Sequence, residues 1–230
     1  NYDVTDPRQA QFRALVGGVW QPVVNLTTGK TFRVDYPVVA GSGDTVLVAY
    51  TNANNGNVVV RRSTNAGVAW SSVNAGATDR LDPDDNAAGY AGWPTICAAG
   101  NNAVVSWISD GQVNVRTSDD AGATWRPTFT LGSTAGEDRG WSQCDIEGDR
   151  IGLTWNENDG VYYAEYSGAS GNATLAAKQV ISLPDTLDGV TFNAAYSIAV
   201  ALNGADTVGI SAPLCEQDEC NYNAKATRIH

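Results

Sequence analysis

The chain is a succession of short segments in which apolar residues alternate with polar ones or gather in brief runs, separated by Gly, Asn, Asp and Ser. That pattern predicts β-strands joined by tight turns rather than long helices. Within it one unit recurs: an aromatic residue, a short strand, a turn, then an apolar strand that closes on a second aromatic. Its copies run from Tyr36 to Tyr50, from Trp93 to Trp107 and from Trp141 to Trp155, with the two aromatics 14 positions apart each time. A weaker copy begins at Tyr196 and continues through Asp206 to Ser211 without a closing aromatic.

A third strand of alternating residues follows each unit, at Asn57–Arg62, Gln112–Thr117 and Val161–Tyr166, and a turn and fourth strand come after it. Four antiparallel strands per repeat make a propeller blade, so the chain reads as an all-β, β-propeller protein with a single domain over residues 1–230. The expected blades cover about 10–27 (partial), 33–80, 90–135, 140–183 and 193–230 (partial). Phe12–Val16 and Trp20–Leu26 read as the third and fourth strands of an earlier blade, and Lys225–His230 as the third strand of the last. About four blades' worth of strands are thus present, as part of a larger propeller or as a closed four-bladed ring.

The turn between third and fourth strands carries a motif. Ser118-Asp-Asp120-Ala-Gly122-Ala-Thr124-Trp125 matches the pattern S-x-D-x-G-x-T-W, and Ser63-Thr-Asn65-Ala-Gly67-Val-Ala69-Trp70 is a degenerate copy 55 residues earlier, in phase with the strands. These turns resemble the Asp-box, or BNR repeat, of the sialidase-like β-propeller superfamily. In such a turn the Asp carboxylate caps backbone donors, Gly takes a positive φ and the Trp ring seals the blade edge, so the box residues are expected to be structural.

Composition narrows the function classes. A formal charge of −11, from 14 Lys and Arg against 25 Asp and Glu, opposes binding to a phosphate backbone, so nucleic acid is not an expected partner. No apolar stretch approaches the length of a membrane-spanning helix, and no membrane insertion is expected. The sequence has no Met, so Asn1 is not a translational start and a leader or longer N-terminal region is expected ahead of it.

Four cysteines with no neighbouring His, the only one being His230, suit the disulfides of an exported protein better than a metal site. The local pair Cys215 and Cys220 is one expected bridge. Cys97 and Cys144 lie four and three residues past equivalent aromatics, on opposite sides of equivalent strands, which suits either a bridge between blades or side chains aimed apart. Asn25-Leu-Thr27 and Asn172-Ala-Thr174 fit the N-glycosylation pattern.

In a propeller the ligand face is built by loops entering the innermost strands and by turns between second and third strands. Acidic residues concentrate there. The segment before Trp93 holds Asp79, Arg80, Asp82, Asp84, Asp85, Asn86 and Tyr90, and the segment before Trp141 holds Glu137, Asp138 and Arg139. Glu157 and Asp159 occupy a second-to-third-strand turn.

The resemblance implies glycosidic chemistry, which needs two carboxyl groups or a carboxylate with a tyrosinate, and arginines that clamp carboxylated sugars. Asp79, Asp138 and Glu157 are the catalytic candidates, and Arg80, Tyr90, Trp93, Arg139 and Trp141 the ligand-binding ones. Solvated loop charge explains the same acidic residues. No cofactor is expected; Asp82, Asp84 and Asn86 alternate as at the start of a calcium loop, without its Gly or its distant Glu.

True sialidases place an Arg before an Ile-Pro at their first inner strand, whereas here Asp35-Tyr36-Pro37 stands in that place, with Arg33 two residues upstream. The leading expectation is therefore a secreted or surface-displayed carbohydrate-recognition or adhesion propeller without the sialidase clamp, its partners glycans. A glycoside hydrolase of the same fold, and a structural module engaged in self-assembly, are the rivals.

Overall fold

The computed structural model describes residues 8–28, 33–54, 56–72, 92–109, 111–132, 141–157, 159–187, 190–192, 194–195, 198–204, 207–215 and 226–229. Every regular element among them is a β-strand. Three blades are complete four-stranded antiparallel meanders. The first comprises Val34–Ser42, Thr45–Asn52, Asn57–Ser63 and Ser71–Ser72, and the second Gly92–Ala99, Asn102–Ser109, Gln112–Ser118 and Phe129–Leu131. The third comprises Ser142–Glu147, Arg150–Glu157, Gly160–Ser167 and Ala173–Ser182.

A last sheet pairs Thr207–Cys215 with Ala199–Asn203 and Ala194–Ala195 on one side and with Ala226–Ile229 on the other. At the N-terminus the two expected strands are each broken in two: Gln11–Phe12 pairs with Val24–Asn25, and Leu15–Val16 with Val19–Trp20. The interruption falls where the Gln21 N–H crosses to the Ala14 carbonyl outside both ladders.

The closing aromatics of the repeat are core. Tyr50, Trp107 and Trp155 are at most 1% exposed, and each shares an apolar cluster with the neighbouring sheet. Trp107, for example, packs in a cluster with Leu47, Ala49, Val58 and Val60 of the first blade. Burying such a ring stabilises by about 3–5 kcal/mol relative to Ala, more than any single hydrogen bond supplies.

The motif turns show why the degenerate copy works. Ser118 Oγ donates to Asp120 Oδ1 at 2.8 Å, and that oxygen also accepts the Thr124 N–H at 2.8 Å, while Asp120 Oδ2 takes the Thr124 hydroxyl at 2.6 Å. In the earlier turn Asn65 Oδ1 accepts from Ser63 Oγ at 2.9 Å and from the Ala69 N–H at 2.7 Å. Asn supplies one oxygen, and because Ala69 has no hydroxyl, a second one has nothing to accept. Burial alone would raise the Asp120 carboxyl; the Thr124, Ser118 and Ala123 hydrogen bonds outweigh it and hold the group below its ordinary range.

Gly67 and Gly122 have φ of +84° and +77°, and a Cβ on Gly67 would strike the Phe12 ring, as one on Gly122 would meet Leu47 at 2.8 Å. Each motif turn therefore seats against the preceding sheet. The third blade has no Asp in its turn. Asp149, from the hairpin between first and second strands, replaces it by accepting Ser167 Oγ and the Ala169 N–H, both at 2.6 Å, and these bonds hold its carboxyl below the ordinary range.

The pairing of Asp with Thr against Asn with Ala is testable by a double-mutant cycle. Asn65→Asp alone should leave stability within about 0.5 kcal/mol, whereas Asn65→Asp with Ala69→Thr should gain about 1 kcal/mol beyond the sum of the singles, read from urea unfolding of the four proteins.

Candidate functional site

The opening aromatics behave differently from the closing ones. Tyr36, Trp93 and Trp141 stand at the entrances to the inner strands of three consecutive blades; Tyr36 is 40% exposed and the two Trp are half-buried. Their rings form a row, Tyr36 to Trp93 at 5.5 Å between centroids and Trp93 to Trp141 at 5.8 Å, with interplanar angles of 42° and 53°. A cleft of about 540 Å³ opens over this row, its polar lining contributed by Thr95, Ser142 and Gln143.

Local backbone chemistry explains how the rings are presented. Tyr36 and Trp93 have φ of +53° and +50°, a region that bulky L-residues rarely occupy and that costs about 1–2 kcal/mol each. Each precedes a proline, and each coincides with a register shift, between Asp35 and Val38 in the first blade and opposite Trp93 in the second. Proline cannot donate to the ladder, and the residue before it is barred from the helical region, so the inner edge strand bulges there. Trp141 precedes Ser142 instead, keeps a negative φ and enters an unbroken ladder. Strain held at two equivalent positions, each at a residue lining the cleft, makes the row the candidate site.

Beneath the rings a disulfide joins Cys97 to Cys144, with the Cα atoms 6.1 Å apart, tying the inner strand of the second blade to that of the third. The parity of the two cysteines allowed either outcome; the inner strands of the second and third blades pack side by side, and the side chains meet. The Ser106 and Ser142 hydroxyls, buried and 2.8 Å apart, make a second link between the same blades.

The chain has 12% sequence identity to the NanB sialidase of Streptococcus pneumoniae, solved with 2-[(3-chlorobenzyl)ammonio]ethanesulfonate; 93% of the chain superposes on 32% of that protein with a TM-score of 0.52. It is similar to the GH93 α-L-arabinofuranosidase of Fusarium graminearum in complex with arabinobiose, at 14% identity and a TM-score of 0.52 over 93% of the chain and 69% of that enzyme. The Penicillium chrysogenum α-L-arabinanase complexed with arabinobiose matches at 13% identity and a TM-score of 0.53, over 89% and 70%. The chain thus spans about a third of the length of the sialidase. No protein-family model and no curated protein matches the sequence.

The fold is that of the sialidase-like and related β-propellers.

On this propeller the sequence-predicted residues separate. Trp93 and Trp141 lie in the cleft. Asp79, Arg80, Asp82, Asp84, Asn86, Tyr90, Glu137, Asp138 and Arg139 lie outside the described residues, as do Tyr196 and Cys220, and with Cys220 the Cys215–Cys220 pairing. Arg33 does not reach into the cleft: its Nε donates to Asp35 Oδ1 at 2.9 Å, and Arg8 adds a 3.5 Å contact to the same oxygen. No Asp, Glu, Lys, Arg or His is among the described residues lining the cleft.

Glu157 is 6% exposed and accepts the Trp155 indole N–H at 2.8 Å. Asp159, on the same turn, accepts the Tyr162 hydroxyl at 2.9 Å, and the Trp155 and Tyr162 rings stack at 5.8 Å. Both carboxylates therefore brace a stacked pair inside the third blade. Ser109 holds the place of Glu157 in the second blade, where the Trp107 indole finds no partner among the described residues.

Sequence reasoning missed a buried network at the opposite end of the third blade. Tyr163 donates its hydroxyl to Glu165 Oε2 at 2.9 Å, and Arg150 pairs with the same oxygen at 2.8 Å. These are the residue types of a sialidase nucleophile, but burial and the Glu165 carboxylate raise the Tyr163 phenol far above its usual value. A nucleophilic tyrosinate needs the reverse, and Tyr163, only 3% exposed, is packed in the core cluster of the blade. Its signal in the sequence was the alternation of Tyr163 and Glu165 on one strand face.

Two predictions follow from the strain and from the turn. At position 93, Trp93→Gly should unfold about 1 kcal/mol later than Trp93→Ala, because only Gly accepts the positive φ freely, whereas at position 141 the Ala variant should be the more stable; calorimetry of the four variants reads both orders. Glu157→Gln, which keeps an acceptor for the indole, should cost less than 1 kcal/mol, and Glu157→Leu about 1–3 kcal/mol in urea unfolding.

Proposed function

We propose that this chain is a carbohydrate-recognition propeller, secreted or displayed at the cell surface, which holds its glycan across Tyr36, Trp93 and Trp141. The observation that carries this reading is the row itself: three rings facing one cleft, two of them kept there at a cost in backbone strain. Aromatic faces receive the apolar faces of sugar rings, and the Gln143 amide offers a partner for sugar hydroxyls. Two structural neighbours were solved with arabinobiose, which supports a sugar as the ligand class of the fold. The disulfide supports an oxidising compartment.

A second reading, hydrolysis, is favoured by one observation: the segments leading into the two Trp carry Asp79 and Asp138. Cleavage requires two carboxyl groups flanking the scissile bond. Turnover of aryl-glycosides or polysaccharides that disappears in Asp79→Asn or Asp138→Asn would establish it over recognition alone.

The recognition reading is tested by glycan-array and calorimetric binding. Trp93→Ala and Trp141→Ala should each weaken affinity about 10- to 100-fold, at roughly 1–3 kcal/mol per stacked ring, while leaving the circular dichroism spectrum unchanged. An unchanged affinity in both variants would remove the row from the site.

A further inference from the structure

We infer that the glycan is uncharged and that at least three consecutive sugar units of one chain lie in the cleft at once. This deepens the recognition reading above and rests on it.

A uronic or sialic acid is held by a guanidinium that meets its carboxylate in a bidentate fork, or by a comparable cation. The described lining of the cleft contains none, and Arg33 and Arg8 beside it are engaged by Asp35. The chain as a whole carries a net charge of −11. A carboxylated sugar entering the cleft meets a net-negative protein with no cation in the described lining to offset it, whereas a neutral sugar pays no such cost.

The length argument comes from the rings. One aromatic face stacks one sugar ring, and three rings in succession, 5.5 and 5.8 Å between neighbouring centroids, offer three adjacent stations. A pocket for a single terminal residue would be closed around one station; this cleft runs across three blades. The 42° and 53° angles between successive rings turn each station relative to the last. The row therefore suits a single chain that rotates along its axis and not the flat face of a packed polysaccharide. The disulfide, four residues past Trp93 and three past Trp141, ties together the two strands that carry these stations, so little ordering is left to the ligand.

The test is calorimetric titration of the whole chain with arabino-, xylo-, manno- and cello-oligosaccharides of one to five units, with oligogalacturonates and sialyl-lactose as charged probes, each at low salt and at high salt. The expected result is a neutral series whose affinity rises at least 10-fold from one unit to three and then levels, changes less than twofold with salt, and in Tyr36→Ala levels at two units instead. A Trp93-dependent affinity that is strongest for a charged probe and suppressed by salt would overturn this inference and leave the recognition reading standing. So would a Trp93-dependent affinity already maximal for a monosaccharide. Absence of binding to every probe, neutral and charged, would overturn both.

Discussion

Each sheet of this propeller has two apolar faces and too little chain to cover either, so packing of one blade against the next is the contact on which everything else depends. Leu47 of the first blade and Trp107 of the second belong to one cluster, and Val104 of the second and Trp155 of the third to another. The polar contacts at the lower end reinforce this order. The turn after each third strand donates a backbone N–H to the hairpin of its own blade: Ala66 to Asp44, Ala121 to Asn101 and Gly168 to Asp149, at 2.7–2.8 Å. Arginines then cross to the neighbour, Arg62 to the Ala121 carbonyl at 2.8 Å, Arg126 to the Ala169 and Ser170 carbonyls, and Arg150 to the Gly204 carbonyl. Each such bond contributes about 1 kcal/mol, so the arginines set the angle between blades that apolar burial has already joined.

With the lower end fixed, the upper end is free to carry strain. The lower turns need Gly, Asp or Asn and Ser at set places because their donors are satisfied internally. The inner strands at the upper end spend stability instead, on two aromatic residues with positive φ, Tyr36 exposed and Trp93 packed against the core over only part of its surface. The two aromatics of the 14-residue repeat are thus divided by environment: the second is dry and holds the blade, and the first stands in the cleft.

The strands, their order within blades and the in-phase motif turns were legible because they depend on local alternation and on turn chemistry, both of which a sequence displays directly. The division between Tyr36 and Tyr50, or between Trp93 and Trp107, was not legible, since an aromatic at a strand end is the same letter whether a neighbouring blade covers it or not. The tie between Cys97 and Cys144 was equally open on parity alone, because parity gives the face of a strand and not the curvature that brings two faces together. The crossing arginines were invisible for another reason: their partners are main-chain carbonyls 43 to 59 residues away, which no side-chain pattern marks. Glu157 is a catalytic candidate by its turn, and its bond to the Trp155 indole is a contact that the turn alone does not display.

The absence of an arginine in the Asp35 position bears on more than one sugar. In a site that clamps a carboxylate, the ligand is fixed by one strong, directional pair, and the remaining contacts are free to be weak. Here Asp35 has drawn Arg33 and Arg8 into its own pairing beside Tyr36, and the described wall of the cleft is left with hydroxyls, an amide and three ring faces. On the recognition reading proposed above, such a wall gains affinity by summing modest contacts over several sugar units, and the sum survives only if the stations keep their spacing. The disulfide and the buried Ser106–Ser142 link are placed where they hold that spacing, between the very strands that carry Trp93 and Trp141. Rigidity along the inner strands and additivity along the rings are two sides of one requirement of the proposed site.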